Sequence, residues 1–309
     1  MPGISSSDNR LFFTSATVQA AKFAQVIYLT NTTQGYTYSL TAQLAKSFPF
    51  GLDLMGAYTY GESKDVNSGA SSVAYSQWRY NTTDYNPNNA ELGYSNYDIR
   101  HHFIASVTYK INYFDRGATS ITLFGNLYSG NPFSFVYNGD LNGDGQTGND
   151  LIYIPKYHSD INLVPLTTGG VTYTTGQQWT MLDNYISNDS YLKNHRGQYM
   201  VRNAATTPWE NSVDGRLTQD FYYNYNNKKH TLQFTFDVFN LGNLLNSSWG
   251  RDFSVSNGTY SLLNVASKQT ATSPATFTFS PVTAAQAPFN VVDFTSRWRM
   301  QIGIRYMFD

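Results

Sequence analysis

Hydrophobic and polar residues alternate with a period of two along most of this chain. In residues 36–46, Tyr36, Tyr38, Leu40, Ala42 and Leu44 share one face, and Thr37, Ser39, Thr41 and Gln43 share the other. Successive side chains of a strand point to opposite sides, so this spacing predicts a strand with one apolar and one polar face. Pro49-Phe50-Gly51 then reads as a tight turn, and Leu52, Leu54, Gly56, Tyr58 and Tyr60 line a second strand. In residues 99–113, Phe103, Ala105, Val107, Tyr109, Ile111 and Tyr113 oppose Arg100, His102, Ser106, Thr108, Lys110 and Asn112. A turn at Phe114-Asp115-Arg116-Gly117 leads to a strand over 119–136. A strand over 213–225 turns at Asn226-Asn227-Lys228-Lys229 into Leu232, Phe234, Phe236 and Val238. The last strand sets Trp298, Met300, Ile302, Ile304, Tyr306 and Phe308 against Arg297, Arg299, Gln301, Gly303 and Arg305. These make seven strands, with an eighth near residues 25–30.

Length decides what kind of strand these are. The stretches 36–46 and 99–113 cover 11 and 15 residues. Soluble strands average about 5–6 residues, whereas a tilted strand crossing a bilayer needs about 9–11. The connections alternate too: short at 49–51, 114–118 and 226–229, long at 66–96, 138–211 and 247–292. Outer-membrane barrels pair tight periplasmic turns with long extracellular loops. The expected fold is all-β: an antiparallel transmembrane β-barrel portion of about eight long strands, a partial barrel with long extracellular loops. A soluble sandwich also alternates, but it rarely joins strands this long through loops this unequal.

Composition fits such a wall. Aromatic residues reach 16% while charged residues are only 13%, and the mean hydropathy is −0.40. The chain is thus polar without being charged, as a sheet between lipid and water must be, and too aromatic for a disordered segment. Net charge is −1 with no basic run, which argues against a nucleic-acid partner. The absence of Cys fits an oxidising envelope compartment. No stretch approaches the 18 or more apolar residues of a spanning helix, so any membrane crossing must be by strands. Met1-Pro2-Gly3-Ile4-Ser5 shows neither the basic nor the apolar region of a leader. A secreted barrel needs one, so the expectation is a chain that has lost its N-terminal part, or else a soluble intracellular one.

Orientation follows from the turns. With the short turns periplasmic, the C-terminus is periplasmic, and the Arg297, Arg299 and Arg305 face is the lumen, because charge on the lipid face costs up to about 2–4 kcal/mol. Tyr109, Tyr113, Tyr306 and Trp298 near strand ends suit aromatic girdles.

The C-terminal Gln301-Ile302-Gly303-Ile304-Arg305-Tyr306-Met307-Phe308 resembles the signal read by the barrel-assembly machinery, which captures an edge strand by strand addition. Several other stretches resemble the Oar-like TonB-dependent receptors. They are Val26-Ile27-Tyr28-Leu29-Thr30-Asn31-Thr32, Tyr58-Thr59-Tyr60-Gly61-Glu62-Ser63-Lys64-Asp65, Gly139-Asp140-Leu141-Asn142-Gly143-Asp144-Gly145, Asn149-Asp150-Leu151-Ile152-Tyr153-Ile154-Pro155, Tyr191-Leu192-Lys193-Asn194-His195-Arg196-Gly197 and Phe236-Asp237-Val238-Phe239-Asn240-Leu241-Gly242-Asn243-Leu244-Leu245-Asn246. The resemblance covers almost the whole chain in order. It implies a much larger barrel around an N-terminal plug, with residues 1–309 as the last third of the barrel and the plug, TonB-contacting segment and signal peptide lacking. It also implies TonB, a plug domain and a scarce solute as partners, beside outer-membrane lipid. On this reading the chain is not an enzyme.

Few residues suggest local chemistry. Asp140-x-Asn142-x-Asp144-Gly145 matches the start of a calcium loop, where alternate oxygen ligands wrap a hard cation. Leu151 stands where the bidentate Glu belongs, and Asp150 is one place early. The candidate ligands of a structural calcium are therefore Asp140, Asn142, Asp144 and Asp150. The same residues also suit a plain Asp/Asn/Gly turn. His101 and His102 are adjacent on a strand, so they cannot chelate one ion together. His158 and His195 have no matching cluster, and no nucleophile elbow or phosphate loop occurs. The loop 138–211, with Trp179, Trp209 and many Tyr, is the better candidate for capturing ligand, its aromatics suiting a saccharide or peptide. Two other classes compete: a small stand-alone porin-like or structural barrel, and a soluble β-domain. The isolated chain is expected to be a curved open sheet with an unpaired edge at each side.

Overall fold

The computed structural model describes residues 2–4, 11–13, 26–84, 86–113, 116–226, 228–270 and 273–308. Seven long strands form its wall: β1 (Tyr36–Ser47), β2 (Leu52–Asp65), β3 (His101–Asn112), β4 (Gly117–Tyr128), β7 (Glu210–Tyr225), β8 (Lys228–Phe239) and β11 (Arg299–Phe308). Between β4 and β7 lie β5 (Pro132–Asn138), α1 (Thr175–Asn188) and β6 (Ala205–Thr206). Between β8 and β11 lie β9 (Thr259–Ser267) and β10 (Thr276–Thr278). The wall order is β11-β8-β7-β4-β3-β2-β1, antiparallel throughout, with the two-residue strand Gly93–Tyr94 added beside the top of β2. Among the described residues the sheet does not close. No helix among the described residues is long and apolar enough to cross a membrane.

Register sorts the two faces as the alternation predicts. One outer row runs Tyr109, Ile121, Leu217, Phe236, Ile302 across five strands. The inner row beside it runs Thr108, Thr122, Arg216, Asp237, Gln301. Outer side chains stay uncovered, up to 83% at Leu44 and 76% at Ile302. In water such a band would be a liability; against hydrocarbon it is the stable arrangement. Inner polar groups pair laterally instead. Thr108 and Thr122 hydroxyls lie 2.9 Å apart, His102 Nε2 is 2.6 Å from Asn126 Oδ1, and Arg216 Nε donates to Asp237 Oδ1 at 2.5 Å.

Three expectations need correction. Residues Val26 to Thr30 are not a strand, and Gln25 lies outside the described residues. No described neighbour offers a ladder there, and apolar residues alone do not make a strand. The strand over 119–136 is two strands, broken at Ser129-Gly130-Asn131. A Cβ on Gly130 would stand 2.0 Å from the Thr207 carbonyl oxygen, so only glycine admits this approach. Ser129 Oγ accepts the Arg100 and His101 amides at 3.1 and 3.2 Å, and Pro132 has no N–H to continue a ladder. Finally, Arg297 precedes β11 and pairs with Asp293 at 3.1 Å rather than lining the inner face.

The buried core lies almost entirely above the wall. The long connections fold together into a cap around Phe133, Phe135, Ile154, Leu182, Ile186, Leu263 and Phe279. β9 pairs in parallel with β5 and antiparallel with β10. Helix α1 starts at a capping box in which Thr174 Oγ1 accepts the Gln177 amide and Gln177 Oε1 accepts the Thr174 amide. Gln178, Leu182 and Ile186 then share its buried face at four-residue spacing. The buried Gln178 is fully used: Nε2 donates to the Val164 and Tyr173 carbonyls at 2.8 and 3.1 Å, and Oε1 accepts the Phe279 amide at 2.9 Å.

Two measurements follow. Leu123→Arg on the outer face is expected to lose about 2–4 kcal/mol of folding stability in lipid vesicles, whereas Ser106→Arg on the inner face loses little. Equal losses would reverse the assignment of faces. Leu182→Ala is expected to lower cap stability by about 2–5 kcal/mol. Hydrogen exchange should then rise in α1 and β5 while β7 and β8 keep their protection; a uniform rise would mean that cap and wall unfold as one unit.

Candidate functional site

Four groupings of polar or aromatic residues stand out, all in or beside the cap. The first is the turn holding Asp140, Asn142, Asp144 and Asp150. Its oxygens are used locally. Asp140 Oδ1 accepts the Gly143 amide at 2.7 Å and Oδ2 the Gly145 amide at 3.2 Å. Asn142 Oδ1 accepts the Asp144 amide at 2.9 Å, and Asp144 Oδ1 the Gln146 amide at 2.7 Å. Asp150 Oδ2 accepts the Leu141 amide at 2.9 Å. The Lys268 ammonium sits 2.6 Å from Asp140 Oδ2, where it supplies a positive charge from within the chain. Burial pushes the Asp144 carboxyl above the usual carboxylate range, partly offset by hydrogen bonds from Asn149, Gln146 and Asn142. No three acidic, His or Cys side chains among the described residues gather as a metal site. The arrangement fits the Asp/Asn/Gly turn, and a calcium ion would compete with Lys268 for Asp140.

The histidines are packing groups. His101 is on the outer face, 2.8 Å from the Tyr58 hydroxyl and stacked on Trp209 with centroids 5.6 Å apart. His102 is on the inner face with Asn126, edge-on to Tyr128. His158 stacks on Trp179 at 5.6 Å, and His195 on Tyr191 at 4.0 Å. Arg100 turns away from the inner row of β3 to bond Asp98 at 3.1 Å and cover the Tyr94 ring at 3.9 Å.

The second grouping is a carboxyl pair that the sequence did not suggest. Glu210 opens β7, three positions before Val213, where the apolar outer row begins, and so lies outside the membrane-spanning stretch. It is only 2% exposed. Its Oε2 accepts the Tyr128 hydroxyl at 2.7 Å, and Oε1 accepts the Asn131 amide group at 3.1 Å and the Phe253 amide at 3.4 Å. Burial, with a hydrogen bond to the Asp252 carboxyl, pushes Glu210 up to about 7. Asp252 Oδ2 in turn accepts the Thr295 hydroxyl. The pair therefore fastens the segment after β8 to the tops of β4 and β7. Nothing in the alternation around Trp209-Glu210-Asn211 distinguishes this Glu from a solvated one.

The third and fourth are clefts. One, of about 400 Å³, is lined by Asn67, Gln77, Tyr80, Asn81, Asn96 and Arg202, among others. Arg202 is buried there and held by Asp65 at 2.7 Å. The larger, of about 840 Å³, lies between α1, the segment 206–209 and residues 284–289, with Trp209, Tyr185 and Phe289 on its walls. Of the two loop tryptophans that mark 138–211 as a capture region, Trp209 faces this cleft and Trp179 packs on the core.

A long-stranded antiparallel wall with an apolar outer face, a mostly polar inner face, tight turns at one end and a folded cap at the other defines an outer-membrane β-barrel protein. A family model for the outer membrane beta barrel domain matches residues 2–288, and the chain belongs to that family. Its place is the outer membrane. Neither a curated protein nor a solved structure matches the chain.

Two outcomes are expected. Glu210 holds its proton in the folded state at pH values where the unfolded chain has released it. Folding stability should therefore fall as pH rises from about 4.5 to about 7, then level off. Glu210→Gln should flatten that fall in urea titrations across the range, and an unchanged slope would remove Glu210 as its source. At the Asp140 turn, chelation with EGTA should leave the thermal transition in place, while Asp140→Asn and Lys268→Met should couple by about 1–2 kcal/mol in a double-mutant cycle. A transition lowered by EGTA would support a calcium ion at this turn.

Proposed function

We propose that this chain forms the C-terminal part of the barrel of a TonB-dependent receptor of the Oar-like kind, a transporter and not an enzyme, taking up a scarce solute. The observation that carries this reading is an open antiparallel sheet with a mostly polar inner face beneath a cap with its own core. A barrel of about eight strands fills its interior with side chains. Here the inner rows mix short polar residues, Ser106, Thr108, Thr122, Thr218 and Thr235, with the charged pair Arg216 and Asp237 and the scattered apolar Met55 and Phe124, a lining that suits water rather than a packed interior. Such rows suit a wider lumen that further strands and a plug would complete. The cap then serves as the extracellular capture surface. TonB and the plug are the expected partners on the periplasmic side, outer-membrane lipid lies against the outer rows, and residues 301–308 on the edge strand β11 are presented to the barrel-assembly machinery.

Cells carrying the gene should bind labelled oligosaccharide or peptide mixtures whether or not TonB is present, yet accumulate them only when it is. Accumulation independent of TonB, together with ion conductance by the purified chain in planar bilayers, would instead establish the porin-like barrel.

A further inference from the structure

The 840 Å³ cleft carries a more specific reading than capture in general. One side is aromatic. Trp209 is 47% exposed, so its ring has surface to offer a ligand while it also stacks on His101. Its place is rigidly set. The Thr207 amide donates to the Asn131 carbonyl at 3.0 Å, and the Asn131 amide donates to the Thr207 hydroxyl at 2.8 Å. Gly130 lets the two backbones meet there. The other side is the face of α1 that carries Met181, Asn184, Tyr185 and Asn188, spaced three and four residues apart. Asn184 and Asn188 lie one turn apart on that face; Asn188 Nδ2 donates to the Asn184 carbonyl at 2.9 Å, and its Oδ1 and second N–H are left for a ligand.

Charge narrows the ligand. No Lys or Arg lines this cleft among the described residues. An anionic peptide or a phosphate would find no counter-ion here, and Asp189 already spends Oδ1 on the Tyr191 and Leu192 amides at 2.9 and 2.8 Å. A neutral molecule with an apolar face and a rim of hydroxyls meets both walls. Its C–H face lies on an aromatic ring and its hydroxyls bond side-chain amides. We infer that this cleft is a binding site for a neutral saccharide, with Trp209 as the stacking platform and Asn184 and Asn188 as hydroxyl partners. That the saccharide is the transported solute rests on the uptake reading; that it binds does not. The Trp209 ring also lies tilted against Phe103 of the outer row, centroids 6.3 Å apart, so the cleft borders the lipid-facing side of the wall. Free oligosaccharide and the sugar of a neutral glycolipid share the chemistry, and the experiment separates them.

The test uses the full chain in detergent and in phospholipid nanodiscs, with neutral hexose and N-acetylhexosamine tri- to hexasaccharides as probes. Saturation-transfer NMR and calorimetry read binding, and Trp209→Ala should weaken it about tenfold while Trp209→Phe, which keeps a ring, recovers most of it. Asn188→Ala should weaken it with the fold intact by circular dichroism. Binding in detergent supports a free saccharide. Binding only when a neutral glycolipid is built into the nanodisc supports a head group. Absence of both, or equal affinity in Trp209→Ala, overturns the inference. Saccharide binding without TonB-dependent accumulation would sink the uptake reading alone, and TonB-dependent uptake of other solutes without saccharide binding would sink this inference alone.

Discussion

Inside hydrocarbon no water is available to a backbone N–H or C=O, so each must find its partner on a neighbouring strand. That requirement accounts for the length and continuity of the ladders here. β7 pairs with β4 on one side and β8 on the other over most of its 16 residues. The same requirement explains where irregularity is allowed. Ser129-Gly130-Asn131 breaks the path of β4 only after Tyr128, and there a serine hydroxyl, an asparagine side chain and a second backbone take over the satisfied bonds. Above that level, helix, parallel pairing and turns return together.

The wall spends its apolar side chains on lipid, so it has no interior core to offer. The cap must therefore supply its own, and it draws Phe133, Leu182, Leu263 and Phe279 from four separated stretches. Several polar fastenings join cap to wall, the Arg202–Asp65 ion pair among them, and two contrast: the Thr207–Asn131 exchange beside Gly130, and the Glu210–Asp252 carboxyl pair. The first is neutral and geometric; the second depends on a retained proton.

The wall was readable because period-two alternation is a local property, visible in residues 36–46 or 99–113 without knowing what they pair with. The register that puts Ile121 beside Leu217 repeats what each strand states by itself. The cap was read as loops because its evidence is non-local. Phe133 to Tyr137 continues the alternation of β4, so the break is carried by Gly130 and Pro132 alone. The capping box at Thr174 and Gln177 and the spacing of Leu182 and Ile186 are local signals of α1 that a reading of 138–211 as one loop passes over. The Asp140 turn shows the opposite limit. Its spacing matches a calcium loop, yet Lys268 reaches it from 128 residues away, and no local pattern announces that ammonium. Glu210 is unreadable for the same reason, since Asp252 and Phe253 come from beyond β8.

The parallel pairing of β5 with β9 has a consequence for assembly order. Ser134 lies opposite Thr259, so the intervening β6, β7 and β8 must all have been laid down before this contact can form. Contacts so distant along the chain close slowly, because the loop entropy is spent before the pairing repays it. The hairpin β3–β4 and the hairpin β7–β8 can zip as they arrive. The cap is then a late event that draws the upper ends of β4, β7 and β8 together once they are in place, much as a drawstring sets the mouth of a bag already sewn.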